Sequence, residues 1–303
     1  MAQTQGVIDP AVLDRLSNLE LVARRVVEGV MAGQHRSPHK GSSIEFAQHR
    51  QYAPGDELRR LDWRVFARSD RLVVKEYVEE TSLSLNLLLD ASESMGFRSL
   101  EWSKLDYARW CAAALSHLVL SQRDTVGLVV FDDDWRAKVP PGNGAPQKLS
   151  IFRTLEETRA EGPTAAGSAI AKLAPRLKQR GLTAVFSDFF EDVEVIMDGV
   201  KRLLHGGHEP ILFQVLDPQE LDFEFDHLVR FDGLESTGQR KLDPRELCEA
   251  YLEEIETHNR ELVRAAAGLS VDLVPIRTDQ PLDEVIRTYL AHRSARARGG
   301  GLG

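Results

Sequence analysis

The sequence predicts an α/β protein with a doubly wound, mostly parallel sheet that has helices on both faces. From Leu83 onward, short apolar runs alternate with longer segments of helical periodicity. A parallel strand is apolar along its whole length because both its faces are buried, and a helix usually connects it to the next strand. The 303 residues, 42% of them hydrophobic, can form one large domain with a smaller appendage.

Residues 1–80 are predicted to form the appendage, a helix followed by a small basic β/loop subdomain. Apolar residues recur at three- and four-residue spacings from Pro10 to Met31, which predicts one amphipathic helix. The segment that follows is rich in proline and glycine, and only Ser43–Phe46 and Leu72–Val78 have the pattern of strands. Trp63 is predicted to anchor the core of this subdomain.

A basic stretch from Arg59 to Arg71 lies within this appendage. Its arginines are Arg59, Arg60, Arg64, Arg68 and Arg71. Ion pairs with the acidic residues Glu76, Glu79 and Glu80 are one interpretation of this stretch, and a surface for a partner is the other.

Residues 81–293 are predicted to form the large domain. Its first elements are a strand at 83–89, a helix at 104–121, a strand at 125–131, an edge strand at 137–139, helices at 147–158 and 165–179, a strand at 182–187, a helix at 193–204 and a strand at 210–216. Ser103 and Asp106 have the spacing of a capping box at the start of the first helix.

The rest of the chain is predicted to complete this sheet. Alternating residues around two turn-forming dipeptides predict a β insertion at 222–242, which is expected to pair with the N-terminal strands. Asp243 and Pro244 are typical of a helix start, and the helix is expected to end near residue 267. A strand at 271–276 and a helix at 282–292 follow, and the Arg- and Gly-rich residues 294–303 are predicted to be a disordered tail.

Composition and charge exclude several classes of function. The formal net charge of −9 argues against a general affinity for nucleic acid or for an anionic membrane surface. No apolar run approaches the roughly twenty residues that span a bilayer, and residues 1–20 lack an apolar signal core, so a cytoplasmic protein without direct membrane insertion is expected. Cys111 and Cys248 are predicted to be buried thiols, and the loop histidines His205 and His208 to be solvated.

Three oxygen-bearing side chains follow the first strand of the large domain at alternate positions. Asp90, Ser92 and Ser94 offer one carboxylate and two hydroxyls, and they converge on one point if the segment stays extended. Oxygen ligands of this kind suit a hard cation, Mg²⁺ in the first place and Mn²⁺ or Ca²⁺ as alternatives, better than they suit Zn²⁺.

Two later loops are expected to reach the same edge of the sheet. Thr164 precedes a predicted helix, and Asp188 directly follows the strand at 182–187. Ligands of open parallel sheets bind outside the carboxyl ends of the strands, where such loops converge. The sequence therefore predicts a metal site made of five side chains. They are Asp90, Ser92, Ser94, Thr164 and Asp188.

This pattern resembles the metal-ion-dependent adhesion site of von Willebrand factor type A domains, which has Asp-x-Ser-x-Ser, a distant Thr and a distant Asp. Several further segments resemble the domain-of-unknown-function family fifty-eight. They are Tyr52-Ala-Pro-Gly-Asp56, Arg59-Arg-Leu-Asp-Trp63, Lys75-Glu-Tyr-Val-Glu-Glu80 and Asp124-Thr-Val-Gly-Leu-Val-Val-Phe131. The resemblance implies a von Willebrand factor A-like fold for the large domain, and it weakens after about residue 220.

The resemblance also implies a function. A cation held by neutral hydroxyls keeps an open coordination position, which a glutamate or aspartate of a partner protein can fill. Members of the family are commonly encoded beside AAA+ ATPases of the MoxR type. A non-catalytic, metal-dependent adaptor that binds such an ATPase or its client is therefore expected.

The alternative is a metal-dependent phosphatase-like hydrolase that uses Asp90. Phosphatases of the haloacid dehalogenase type place a second aspartate two positions later as the acid, whereas this chain has Ser92, which does not donate protons near neutral pH. The sequence also lacks a Gly-x-Ser-x-Gly elbow, a P-loop lysine motif and a Gly-x-Gly-x-x-Gly loop.

Overall fold

The structure is a computed structural model that divides the chain into two compact units. It describes residues 10–14, 18–34, 49–52, 63–69, 71–75, 83–177, 180–222, 230–232, 239–241 and 244–299. The larger unit comprises residues 1–35 and 83–303, and the smaller unit comprises residues 36–82. The structure thus differs from the predicted domains, because the N-terminal helical region belongs to the larger unit.

Ten helices and ten strands are formed by the described residues. The helices are α1 (Pro10–Asp14), α2 (Leu19–Gln34), α3 (Trp63–Ser69), α4 (Lys104–Ser121), α5 (Gly144–Glu157), α6 (Ala166–Leu173), α7 (Val193–His205), α8 (Pro218–Asp222), α9 (Pro244–Gly268) and α10 (Leu282–Gly299). The strands are β1 (His49–Gln51), β2 (Val73–Lys75), β3 (Ser84–Asp90), β4 (Thr125–Phe131), β5 (Trp135–Gly142), β6 (Leu182–Ser187), β7 (Glu209–Leu216), β8 (Arg230–Asp232), β9 (Gln239–Lys241) and β10 (Asp272–Arg277).

A six-stranded sheet in the order β10-β7-β6-β3-β4-β5 forms the centre of the larger unit. All of its neighbouring strands are parallel except β5, which pairs with β4 in the antiparallel direction. The predicted fold class, a doubly wound and mostly parallel sheet, is confirmed. The predicted edge strand at 137–139 is longer in the structure and covers Trp135–Gly142.

Helices cover both faces of this sheet. In β3, Leu87 and Leu89 belong to a core cluster that includes residues of α1, α2, α4, α5 and α10, whereas Leu88 belongs to a second cluster with residues of α6, α7 and α9. Successive side chains of a strand point to opposite faces, so the apolar run of β3 supplies both clusters.

The N-terminal amphipathic segment forms two helices rather than the single helix predicted from Pro10 to Met31. Val22, Val26 and Val30 are buried in the same core cluster as residues of α4. The apolar stripe that predicted a helix therefore covers the larger unit. Periodicity identifies such a stripe but does not show which surface it contacts.

The start of α4 follows the sequence prediction closely. Ser103 Oγ accepts a hydrogen bond from Asp106 N at 3.1 Å, and Asp106 Oδ2 accepts one from Ser103 N at 2.9 Å. This capping box satisfies two backbone N–H groups and fixes the first turn of the helix.

In the smaller unit, β1 and β2 form an antiparallel pair, and α3 lies between them in the sequence. Trp63 is 60% exposed, and its ring meets the edge of Phe66 at a centroid distance of 6.1 Å. The prediction of Trp63 as a core anchor is therefore wrong. The predicted strand Ser43–Phe46 and the acidic partners proposed for the arginines lie outside the described residues.

The C-terminal part contains the predicted hairpin, because β8 and β9 pair antiparallel in a sheet of their own. In the described part of the chain this sheet does not include β1 or β2, so the expected pairing with N-terminal strands is not found. The prediction of a disordered tail from residue 294 is wrong as far as Gly299, where α10 ends. The alanines and arginines of this segment favour a helix and delay its end until the glycines.

Two side chains outside the site illustrate the limits of local patterns. His208 is 4% exposed, and its Nδ1 lies 3.4 Å from Thr183 Oγ1, so the prediction of a solvated loop histidine is wrong. Cys111 is buried as predicted, and burial raises the pKa of its thiol well above the usual range. Among the residues that the structure describes, none of the helices combines the length and the apolar character needed to cross a bilayer.

Leu87→Ala is expected to lower the free energy of unfolding by about 2–5 kcal/mol, because Leu87 is fully buried in the central strand. Leu149→Ala is the matched control, because Leu149 is 70% exposed on α5, and its change is expected to stay within about 0.5 kcal/mol. Urea unfolding followed by circular dichroism measures both values. Equal losses in the two variants would contradict the assigned core.

Candidate metal centre

Two aspartates meet at one edge of the sheet because β3 and β6 are neighbouring parallel strands. Leu89 of β3 is paired with Phe186 of β6, so Asp90 ends one strand while Asp188 follows the last residue of the other. Both aspartates are buried, at 1% and 0% exposure. The predicted convergence of Asp90 and Asp188 is therefore present in the structure.

The segment after β3 brings two serine hydroxyls into contact. Ser92 has extended backbone and donates its N–H to Asp90 Oδ1 at 2.9 Å. A 3₁₀ turn then begins at Glu93, so the expectation that the segment stays extended holds only as far as Ser92. This turn places Ser94 Oγ 3.2 Å from Ser92 Oγ.

A second loop adds the hydroxyl of Thr164. Two backbone hydrogen bonds hold this loop against the first one, from Glu161 N to Ala91 O at 2.9 Å and from Glu93 N to Gly162 O at 2.8 Å. Gly162 adopts φ +87°, and a Cβ atom there would lie 2.7 Å from a carboxylate oxygen of Asp132. The loop places Thr164 Oγ1 2.9 Å from Ser94 Oγ.

The spacing of these three hydroxyls fits a magnesium site. Neighbouring ligands of an octahedral Mg²⁺ with bonds of about 2.0–2.1 Å lie about 2.9 Å apart. The contacts of 3.2 Å and 2.9 Å that join the oxygens of Ser92, Ser94 and Thr164 are hydrogen bonds, and these distances are also compatible with such a separation. No group of three or more His, Cys, Asp or Glu that could hold a metal occurs among the described residues. A cation here would therefore depend on hydroxyl ligands.

Burial controls the charge of Asp90. Loss of water and, next, the negative charge of Asp188 raise the pKa of Asp90 to about 7, although hydrogen bonds from Ser187 and Ser92 oppose the shift. Ser187 Oγ donates to Asp90 Oδ2 at 2.6 Å. Sequence reasoning missed Ser187, although it stands beside Asp188 at the carboxyl end of β6, where inward polar side chains are expected to be functional.

Lys104 and Glu220 extend the site from Asp188. The sequence patterns did not predict either residue as part of the site. Lys104 Nζ donates hydrogen bonds to Asp188 Oδ2 at 2.8 Å and to Glu220 Oε1 at 2.6 Å. The lysine side chain is fully buried. The sequence contained one indication. A lysine at the first position of a helix interacts unfavourably with the helix dipole, so a compensating contact is expected.

A groove of about 570 Å³ opens next to the hydroxyls. Ser94 is partly exposed at its end, and α9 forms one of its walls. The lining residues include Phe190, Glu191, Tyr251, Glu254 and His258. His258 Nε2 lies 2.8 Å from Phe189 O and so ties α9 to the loop that carries Asp188. The groove therefore leads from the solvent to Ser94.

The hydrolase alternative needs a second acid close to Asp90. The position two residues later is Ser92, which is fully buried and whose hydroxyl contacts Ser94. Lys104 already engages both Asp188 and Glu220. In the described part of the chain, no observation favours Asp90 as a nucleophile.

Comparison with known proteins identifies the family. Residues 48–261 match the family model described as "Protein of unknown function DUF58". The chain therefore belongs to this family. It is also 27% identical over 298 residues to the uncharacterised protein Rv1480 of Mycobacterium tuberculosis, covering 96% of this chain and 93% of that protein.

Solved structures similar to this chain include BatB and the SpRpn10 VWA domain. BatB from Bacteroides thetaiotaomicron is 19% identical, with a TM-score of 0.44 over 70% of this chain and 99% of that chain. The SpRpn10 VWA domain is 15% identical, with a TM-score of 0.40 over 67% of this chain and 93% of that chain. The larger unit is an α/β fold built on a mostly parallel six-stranded sheet.

Asp90→Asn is expected to be more stable than the wild type at pH 8 in metal-free buffer, and this difference should decrease as the pH falls toward 4. The pKa of Asp90 in the folded protein, about 7, exceeds its usual value of 3.8. The folded state therefore binds the proton more tightly than the unfolded state, and wild-type stability falls as the pH rises between these values. Denaturant unfolding across this pH range measures the difference.

Asp133→Asn is the control, since Asp133 is exposed in the turn between β4 and β5. Its stability is expected to follow the wild type at every pH. A stability difference between Asp90→Asn and the wild type that is independent of pH would contradict the assigned environment of Asp90.

Proposed function

We propose that the protein is a metal-dependent protein-binding adaptor without catalytic activity of its own. Its site would hold one divalent cation, Mg²⁺ in the first place and Mn²⁺ or Ca²⁺ as alternatives, through Asp90, Ser92, Ser94, Thr164 and Asp188. A carboxylate of the partner protein would complete the site. The observation that carries this proposal is the contact of three hydroxyls from two loops beside two buried aspartates.

Each residue has a distinct part in this proposal. Ser92, Ser94 and Thr164 offer neutral oxygens, while Asp90 and Asp188 supply negative charge from behind them. When bound, the cation would supply a positive charge with an open position for an acidic side chain. Because few of the ligands are anionic, the protein cancels little of that positive charge. An incoming carboxylate would therefore bind more strongly than at a site with more acidic ligands.

The groove beside Ser94 offers space for a segment of a partner protein. It is open to solvent, and its exposed acids Glu254 and Asp192 border the aromatic residues Phe190 and Tyr251. A segment of a partner can lie in such a groove while one of its acids reaches the hydroxyls. The hydroxyl site would then act as the anchor of a larger interface.

The partner we propose is an AAA+ ATPase of the MoxR type or a client of that ATPase. This part of the proposal comes from the family resemblance, since such ATPases are commonly encoded beside family members. A cytoplasmic site of action, which the sequence predicts, belongs to the same proposal.

Calorimetric titration of the purified protein with Mg²⁺ or Mn²⁺ is expected to show one site. Asp90→Ala should abolish it, and Thr164→Val, which replaces a hydroxyl by a methyl group of similar size, should weaken the affinity at least about tenfold. Ser168→Ala is the control, because Ser168 lies nearby in α6 and is exposed. Unchanged affinity in Asp90→Ala and Thr164→Val would refute the assignment.

Affinity purification from the native cell with the wild type and with Ser94→Ala should recover different sets of proteins. We expect an ATPase of the MoxR type or its client with the wild type in Mg²⁺, and its loss both in Ser94→Ala and after chelation. Ser168→Ala should retain the partner. A partner that stays bound to Ser94→Ala in the presence of a chelator would argue against docking through the metal.

A further inference from the structure

Lys104 is a buried cation at a position that local helix energetics disfavour. It is the first residue of α4, where the helix dipole stabilises anions and destabilises cations. Its side chain is fully buried, although the desolvation of an ammonium group is costly. Because both the helix dipole and desolvation disfavour this lysine, it is expected to make compensating interactions with the surrounding structure.

The compensation comes from two carboxylates of different elements. Lys104 Nζ lies 2.8 Å from Asp188 Oδ2 and 2.6 Å from Glu220 Oε1. Burial alone would lower the pKa of Lys104, but the charges of Asp188 and Glu220 outweigh burial and keep the pKa above its usual value. The two carboxylates within hydrogen-bonding distance of Nζ favour the charged ammonium form.

The contact with Lys104 changes the charge and the free oxygen that Asp188 presents to the hydroxyls. Asp188 Oδ2 is occupied by Lys104, and Oδ1 accepts a longer hydrogen bond of 3.3 Å from Phe190 N. Lys104 therefore offsets negative charge at Asp188, and it shares its single positive charge with Glu220. Asp90, whose oxygens accept hydrogen bonds only from neutral groups among the contacts described above, is then the uncompensated carboxylate beside Ser92 and Ser94.

We propose that Lys104 is a positioning residue that holds the Asp188 carboxylate and neutralises its charge. A cation at the hydroxyls would thereby keep the charge that attracts the carboxylate of a partner. Lys104 thus lowers the affinity for the metal and raises the affinity for the partner. This inference rests on the proposed function, because it describes how the charge of the same site sets its affinity for the metal and its affinity for the partner carboxylate.

Glu220 holds the ammonium group of Lys104 from the other side. Its Oε2 accepts a hydrogen bond from Asp217 N at 2.9 Å, and Asp217 accepts another from Ser99 N at 2.9 Å. These contacts fix the start of α8 next to the segment before α4. Lys104 can therefore contact Asp188 only from a defined position, which a more mobile lysine would not keep.

Three variants separate the charge of Lys104 from its packing. Lys104→Met removes the ammonium group and keeps an unbranched side chain, while Glu220→Gln keeps Lys104 on Asp188. The double variant Lys104→Met/Glu220→Gln removes one positive and one negative charge, so its total buried charge equals that of the wild type. Only the two variants that lack Lys104 leave Asp188 unneutralised.

The test measures two affinities for each protein. Calorimetry gives the affinity for Mg²⁺, and the relaxation of water protons gives the affinity of acetate, as a simple carboxylate, for the Mn²⁺-loaded protein. Lys104→Met and the double variant are expected to bind Mg²⁺ about tenfold or more tightly than the wild type, because a nearby positive charge is removed. Both should bind acetate about tenfold more weakly. Glu220→Gln keeps Lys104 on Asp188 and removes a negative charge, so it should not bind Mg²⁺ more tightly or acetate more weakly than the wild type.

Opposite changes in the two affinities distinguish charge tuning from a purely structural role, which would weaken both together. Weaker or unchanged Mg²⁺ affinity in the two variants without Lys104 would overturn this inference, and so would variants that stay unfolded even in Mg²⁺, as judged by circular dichroism. Absence of Mg²⁺ and Mn²⁺ binding to the wild type would instead overturn the proposed function, and this inference with it.

Discussion

The pairing of β3 with β6 places two buried carboxylates at one edge of the sheet, and the candidate site is built around their repulsion. Asp90 and Asp188 are both removed from water, so each needs compensation from its surroundings. Asp90 receives hydrogen bonds from Ser92 and Ser187, and Asp188 receives the ammonium group of Lys104. In the proposed function, a divalent cation would add positive charge near both carboxylates, and Asp90 would gain most because it lacks a cationic partner among the contacts described above.

The loops that carry the hydroxyls are fixed by backbone contacts rather than by the hydroxyls themselves. The segments after β3 and before α6 exchange hydrogen bonds at Ala91 with Glu161 and at Glu93 with Gly162. The backbone of these two segments therefore holds Ser94 and Thr164 close together. Such preorganisation reduces the free energy that binding would otherwise spend on ordering the loops.

Sequence patterns predicted best those elements whose stability is local or whose apolar pattern is unambiguous. The bounds of β4 and β6 and the capping box at Ser103 agree with the structure. Patterns failed where the outcome depends on distant surfaces. The apolar ring of Trp63 is exposed and the polar ring of His208 is buried, which is the opposite of the prediction in both cases. Burial of a single side chain depends on what the fold places over it, and local sequence does not contain that information.

The amino-acid sequence by itself determined the main strands and helices of the larger unit and the five oxygen-bearing candidate residues, because periodicity and loop position are properties of neighbouring residues. Only the tertiary structure decided that the three hydroxyls touch and that Lys104 joins Asp188 to Glu220. The contacts of Ser94 with Thr164 and of Lys104 with Asp188 and Glu220 connect residues 70 to 116 positions apart in the chain. Such contacts depend on strand pairing and on the packing of loops. The energies of these interactions cannot be inferred from any single local segment of the chain.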